Sequence, residues 1–222
     1  MKNIGGWSVL KYRLFKAQSI LKIIRRVLLF IVFVVLIMNV KNIVKEFFPY
    51  KYSNYIVKYS QTYALDPYLV AAVIKTESNF QEGARSNKNA YGLMQITPDT
   101  AEWAAEKMEV KNFSVTMLND PEFNIRMGCW YLNNLREEFD GNMELVLAAY
   151  NGGRGNVQKW LKSSDHSADG KNLHYIPFKE TDKYVKKVKV NYSVYKYLYD
   201  KEEKKSIGTT IDIAYQYFKL IN

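Results

Sequence analysis

The sequence predicts a mainly α domain, α+β only through one small β-hairpin beside its prospective site, preceded by one N-terminal transmembrane helix. Three observations predict it. Helix starts are written at Asp66-Pro67, Thr97-Pro98, Asp120-Pro121 and Asn142, where a capping side chain stands at the first turn and, in three of the four, proline takes the first helical position. One short piece, Tyr91-Gly92-Leu93-Met94-Gln95-Ile96, reads as extended after the turn-prone run 79–89, which places the hairpin near residues 80–97. Residues 27–40 are apolar and carry no charge.

That uncharged run covers only about 21 Å as a helix, against a hydrocarbon core of roughly 30 Å. Extended to residues 21–44 it reaches about 36 Å, with Lys22, Arg25, Arg26 and Lys41 able to snorkel from its ends. A cleaved signal peptide is the alternative, but Lys41-Asn42-Ile43-Val44-Lys45 offers no small-x-small site. The preferred reading is an uncleaved signal anchor: residues 1–20 a basic cytoplasmic N-terminus and residues 21–44 a single membrane span. The basic bias before the span sends the folded domain, residues 45–200, and a C-terminal tail with helical character, 201–222, outside the cytoplasm.

Residues 45–62 are rich in Tyr and Lys, part interfacial anchor and, from Tyr55 to Tyr63, a first helix of the domain. The next helix starts at Pro67 and reaches Ser78. Thr97-Pro98 opens a helix to about Met108, and Asp120-Pro121 one to about Phe139 with Phe123, Met127, Trp130 and Leu135 on its apolar face. Asn142 caps a helix over Met143–Tyr150 that Asn151-Gly152-Gly153 stops. A short helix over Asn156–Leu161, a polar loop over 162–176 and a long basic helix over Thr181–Tyr199 complete the domain, the last with Tyr184, Val185, Val188, Tyr192 and Tyr195 facing inward.

The net charge of +10 is concentrated in the N-terminal segments. Residues 1–26 hold seven basic side chains and no acid, residues 41–60 hold four against one, and residues 61–222 balance at 21 of each. A charge-balanced domain argues against nucleic acid as a partner. The single cysteine, Cys129, sits in a helical pattern and reads as a small buried hydrophobe; it excludes an internal disulfide framework. His166 and His174 flank a polar loop without metal-ligand spacing, so no metal and no cofactor are expected.

One carboxylate stands out. Counting back from Glu77 by three, four and seven gives Ile74, Val73 and Val70, so Glu77 falls on an apolar face at a helix C-terminus. Burial and the negative end of the helix dipole both favour its protonated form. A carboxyl kept neutral near pH 7 can protonate a leaving group. The alternative is a helix-end glutamate that reaches solvent. Glycoside cleavage ordinarily uses two carboxylates. No partner stands near Glu77 in sequence, since Glu82 is in the following loop and Glu180 far along the chain. Gln95, Tyr150 and Asn151 lie close to turns, where amides and aromatics can bind sugar; singly, each also reads as a surface amide, a core ring and a helix cap.

Together, Glu77-Ser78, Gly92-Leu93-Met94-Gln95, Ala149-Tyr150-Asn151-Gly152-Gly153 and Ile176-Pro177-Phe178-Lys179-Glu180-Thr181 with Tyr184-Val185 resemble the four ordered motifs of the soluble-lytic-transglycosylase (SLT) domain family, a relative of goose-type lysozyme. The resemblance covers about residues 55–199. It implies a lysozyme-like fold and cleavage of the bond between N-acetylmuramic acid and N-acetylglucosamine in peptidoglycan, with glycan strands as substrate; the membrane is expected as a partner from the apolar N-terminal segment alone. Glu77 matches the catalytic acid and base. Ser86, Gln95, Tyr150, Asn151 and Glu180 match substrate-binding positions, and Ser78, Gly92, Met94 and Tyr184 match supporting ones. The sequence departs at Asn89, where glycine is usual, and at Thr97, where methionine is common.

The resemblance also accounts for the missing second carboxylate. The C6 hydroxyl of the substrate attacks C1 within the same sugar and leaves a 1,6-anhydromuramoyl end, and an intramolecular nucleophile needs no base to position water. A hydrolytic muramidase of the same fold and a non-catalytic wall-binding scaffold are the alternative functions.

Overall fold

In the computed structural model, the backbone is described for residues 5–221 and the side chains for residues 15, 16, 18 and 20–200. The chain divides into two compact units, one ending at Phe47 and the other starting at Phe48.

The first unit is α1, Gly5–Phe47, a single helix of 43 residues. Among the described residues no helix is long and apolar enough to cross a membrane. This corrects the transmembrane helix expected over residues 21–44. The reason lies in the charges: between Arg26 and Lys41 only 14 residues remain, about 21 Å of helix against a core of roughly 30 Å.

The second unit is built from α2 (Ser53–Thr62), α3 (Pro67–Glu77), α4 (Pro98–Lys107), a 3₁₀ turn at Val115–Asn119, α5 (Pro121–Glu138), α6 (Met143–Gly152), α7 (Arg154–Leu161) and α8 (Lys179–Ile221). All four expected caps are formed. Asp66 accepts from the Tyr68 N–H, Thr97 from Thr100, Asp120 from Phe123, and Asn142 from Glu144 and Leu145. Each satisfies donors that the first helical turn leaves without a partner, which is why the helix starts fall where the sequence puts them.

Helix α3 is the centre. Every residue from Tyr68 to Ile74 is buried, so the helix is apolar all round and enclosed by its neighbours. It packs against α8 and α2, while α6 packs against α8, α7 and α5. The tyrosines ahead of α3 belong to the domain: Tyr50, Tyr52, Tyr55 and Tyr59 pack on the core. The Tyr195 and Tyr199 hydroxyls donate to the Pro49 and Phe48 carbonyls at 2.9 and 2.7 Å, clamping that entry segment to α8. Helix α8 runs unbroken through residue 200, where the sequence suggested that a separate tail begins.

The expected β-hairpin is absent, and no strand forms among the described residues. Only isolated antiparallel bridges join Arg85 to Tyr91 and Tyr91 to Ile96. Asn79, Phe80, Asn89, Gly92 and Gln95 all have positive φ, and a chain that turns this often cannot extend a bridge into a ladder. The domain is thus mainly α, and the β component of the expected α+β class is reduced to two bridges.

Candidate active site

The residue that ends α3 sits at the edge of a cavity of about 570 Å³. Ten residues of the helix precede Glu77, seven of them buried, and they deliver its carboxyl to this opening. Ser78, Ser86 and Gln95 line the same space, with Arg85, Lys187 and Asn191. The helix end is held in place locally: Ser78 closes α3 by donating both its backbone N–H and its Oγ to the Ile74 carbonyl.

Glu77 is half-buried, and loss of solvation pushes its carboxyl up to about 7. Two neighbours oppose the rise. The Tyr184 hydroxyl, buried and without a hydrogen bond of normal geometry, favours the ionised form, and so does the positive charge of Lys187. The acid is therefore balanced between its two states near neutrality.

Tyr150 does not line the cavity but is near enough to Glu77 to feel its charge. Its hydroxyl donates to the Met94 carbonyl at 2.8 Å. Burial, and then the charge of Glu77, drive it well above the ordinary tyrosine range, so it stays a neutral donor.

The wall opposite α3 is the loop over residues 79–97. Its geometry depends on one residue that the motifs did not flag, Asn124 of α5. Fully buried, Asn124 accepts from the Met94 N–H at 2.8 Å and donates to the Tyr91 and Leu118 carbonyls at 2.9 Å each. Gly92 must be glycine here: φ is +73° and a Cβ would meet the Asn124 amide nitrogen at 2.3 Å. Gly128 opens the space that the Met94 side chain fills.

Gln95 adopts φ +49°, a left-handed geometry that non-glycine residues enter at some cost. Its Nε2 donates to the Ala84 and Gly92 carbonyls at 3.0 and 2.8 Å, which leaves its Oε1 to accept from a ligand in the cavity. Ser86 ties the loop on itself, with Oγ accepting from the Lys88 and Ala90 N–H groups. Asn89 takes φ +60°, tolerable for asparagine, and its Oδ1 accepts from Arg85 Nη2 at 2.7 Å. The asparagine that replaces the usual glycine thus fastens an arginine to the cavity wall. Thr97, the other departure, serves as the cap of α4.

Not every expected site residue reaches the cavity. Asn151 is used inside the fold, where its Oδ1 accepts from the Thr181 hydroxyl at 2.9 Å and joins α6 to α8. Glu180 is exposed and pairs with Lys88 at 3.0 Å, linking the first turn of α8 to the loop.

These elements match a known domain. The model of the transglycosylase SLT domain matches residues 54–173, more than half of the chain. The chain belongs to the SLT domain family. It is 34% identical over 155 residues to the soluble lytic murein transglycosylase of Escherichia coli (strain K12), covering 69% of this chain and 24% of that protein. It is 38% identical over 128 residues to the membrane-bound lytic murein transglycosylase C of Sodalis glossinidius, covering 54% of this chain and 36% of that one. Among solved structures, an inactive mutant of the lytic transglycosylase Slt from Pseudomonas aeruginosa superposes with a TM-score of 0.60 at 34% identity, over 68% of this chain and 24% of that one. The 70 kDa soluble lytic transglycosylase of Escherichia coli gives 0.62 at 32% identity, over 69% and 25%. The chain therefore spans about a quarter of the length of the Escherichia coli enzyme.

The SLT domain here places Glu77, Ser86 and Gln95 on one cavity. Asn124, Arg85 and Lys187 had no motif to mark them. Asn124 could have been found as an amide on the buried face of α5, one turn before Met127 and Gly128. Lys187 follows Tyr184 by one turn of α8. Nothing in a polar loop distinguishes Arg85.

Proposed function

We propose that the domain is a peptidoglycan lytic transglycosylase that cleaves the bond between N-acetylmuramic acid and N-acetylglucosamine without water. The observation that carries the reading is a single carboxyl, Glu77, poised near pH 7 at the edge of a sugar-sized cavity whose lining contains no other acid. One carboxyl that is easily protonated and easily ionised suits a reaction in which the same group is acid first and base second.

Protonated Glu77 delivers its proton to the glycosidic oxygen as the bond to C1 breaks. The substrate's own N-acetyl group stabilises the electron-poor C1. Ionised Glu77 then takes the proton of the C6 hydroxyl while its oxygen bonds to C1, which closes the 1,6-anhydro ring and restores the protonated acid. The neutral Tyr150 hydroxyl supports the charge shift from beside the acid, and Gln95 Oε1 and Ser86 hold the sugar. Lys187 and Tyr184 keep the ionised state accessible, so that the second half of the cycle is not blocked. The reading also puts the domain outside the cytoplasm, where glycan strands lie.

Digestion of purified peptidoglycan with the full chain, followed by mass spectrometry, tests this directly. Anhydromuramoyl ends are expected with wild type and none with Glu77→Gln. Reducing ends alone would assign the fold to a hydrolytic muramidase, and intact strands to a wall-binding protein.

A further inference from the structure

The cavity at the end of α3 lies between two elements, the loop, which contributes Arg85, Ser86 and Gln95, and α8, which contributes Lys187 and Asn191. Among the described residues one ion pair joins residues 84–97 to α8: Lys88 Nζ donates to both oxygens of Glu180, at 3.0 and 3.2 Å. Lys88 lies two residues past Ser86 on the loop. Glu180 lies one turn before Tyr184, the α8 residue that acts on Glu77, and two turns before Lys187. The helix therefore meets the site in the order Glu180, Tyr184, Lys187, Asn191. The pair crosses from wall to wall about 6 Å of helix beyond the acid, at the end away from Asn191.

The loop is not fixed equally along its length. Its base is held from within the fold: Asn124 accepts from the Met94 N–H, and the Ala84 carbonyl accepts from the Gly92 N–H at 2.9 Å and from Gln95 Nε2 at 3.0 Å. Its tip, residues 85–90, bonds to itself. The Ser86 N–H donates to the Ala90 carbonyl, the Asn89 N–H to the Ser86 carbonyl, and the Arg85 guanidinium to Asn89 Oδ1. Lys88 alone carries this tip across to α8. The two side chains are 74% and 72% exposed, so the link is weak and open to screening by salt. A contact of that strength bars a gap without sealing it.

Resting on the reading of the domain as a glycan-cleaving lytic transglycosylase, we propose that the Lys88–Glu180 pair is a strap across one end of the glycan cleft, and that Lys88 thereby determines specificity. With the strap closed, the cleft takes a strand by its terminus and resists one laid in by its middle. A terminus enters from the open end, beside Asn191, and stops at the strap with its last sugars past Glu77. The middle of a strand has chain on both sides of the acid and must part the pair to reach it. Lys88 touches no reacting atom; it acts through Glu180, by holding the loop tip against α8.

The test sizes the fragments that the full chain first releases from long purified glycan strands, beside its rate on a tetrasaccharide piece of the same strand. With wild type, short end-derived fragments should dominate. Lys88→Met should raise the share of mid-length fragments about two- to fivefold and leave the tetrasaccharide rate within about twofold of wild type. Lys88→Glu should do the same, and adding Glu180→Lys to it should restore the wild-type pattern, because the swapped charges pair again. Raising salt from about 50 to about 300 mM should move wild type towards Lys88→Met and leave that variant where it is. Identical fragment patterns from wild type and Lys88→Met, with anhydro ends from both, would overturn the strap and leave the activity standing. A charge swap that restores nothing would overturn it too, since Lys88 would then not act through Glu180. Anhydro ends from no substrate would overturn the activity, and the strap with it.

Discussion

Helix α3 borders a hollow at each end. At its start, Leu65, Leu69, Met143 and Leu147 floor a cavity of about 320 Å³ rimmed by Asp66, Arg136 and Lys189. At its finish lies the cavity of about 570 Å³ with Glu77, Arg85 and Lys187. Both are bounded by α3 and α8, and both carry charged rims, yet the charges are handled differently. In the first, Asp66 accepts from the Tyr68 N–H and from the Tyr192 hydroxyl, Arg136 donates to the Ala64 carbonyl and to Asn133, and Lys189 pairs with Glu144. In the second, the acid is partly stripped of water, the Tyr184 hydroxyl beside it lacks a well-formed hydrogen bond, and the cations that line the wall with it, Lys75, Arg85 and Lys187, meet no other acid there, Lys75 and Arg85 being held by the amides of Asn79 and Asn89. A hollow whose polar groups satisfy one another contributes to stability. One whose polar groups are left in tension has interactions in reserve for a ligand.

The largest expected effect lies at the finish of α3. Glu77→Gln should lower the rate of anhydro-product formation by about 10²–10⁴-fold. It should also stabilise the fold at alkaline pH. Glu77 titrates near 4.5 when unfolded and near 7 when folded, so folding disfavours its ionised form. The stability it allows is full below pH 4.5 and is lost as the pH rises to 7. Above that the variant should be more stable than wild type by on the order of 1–3 kcal/mol. Thermal melts of both proteins at pH 4 and pH 8 would break the comparison if the difference did not grow with pH. With the acid working from its protonated form, the wild-type rate should fall as the pH passes above about 7.

Asn124→Leu comes next. It strands the Met94 N–H and the Tyr91 and Leu118 carbonyls in the core, a loss of about 2–4 kcal/mol by urea titration. Because the loop it holds is the cavity wall, activity per folded molecule should fall too. Asp66→Ala, at the satisfied end, should cost about 1–2 kcal/mol through the lost cap and the lost Tyr192 contact. Its activity per folded molecule should match wild type; a fall would show that the two hollows are coupled through α3. The smallest effect is expected at Lys189→Gln, an exposed pair with Glu144, at less than about 1 kcal/mol with no change in product.

The helices were legible because their signals are local. Asp66, Thr97, Asp120 and Asn142 each bond to an N–H two or three residues on, a contact that the sequence contains in full. Two elements were misread for complementary reasons. The piece 91–96 reads as extended but bends at Gly92 and Gln95, and left-handed geometry at a glutamine has no signature in composition. The run 21–44 reads as a span only when the charges at its ends are counted as tolerable. At the site, the ordered motifs named Glu77, Ser86 and Gln95, which line one cavity, and also Asn151, whose Oδ1 joins α6 to α8.

The sequence by itself determined where the helices begin, that Glu77 ends one of them against apolar neighbours, and which family the motifs resemble. Tertiary structure alone decided what surrounds the acid. Its desolvation, the facing charge of Lys187, the Tyr184 hydroxyl and the wall that Asn124 braces come from segments as far as 110 residues away. Electrostatic energy depends on distance through space and on the solvent excluded along the way, and neither is written in the spacing of residues along a chain.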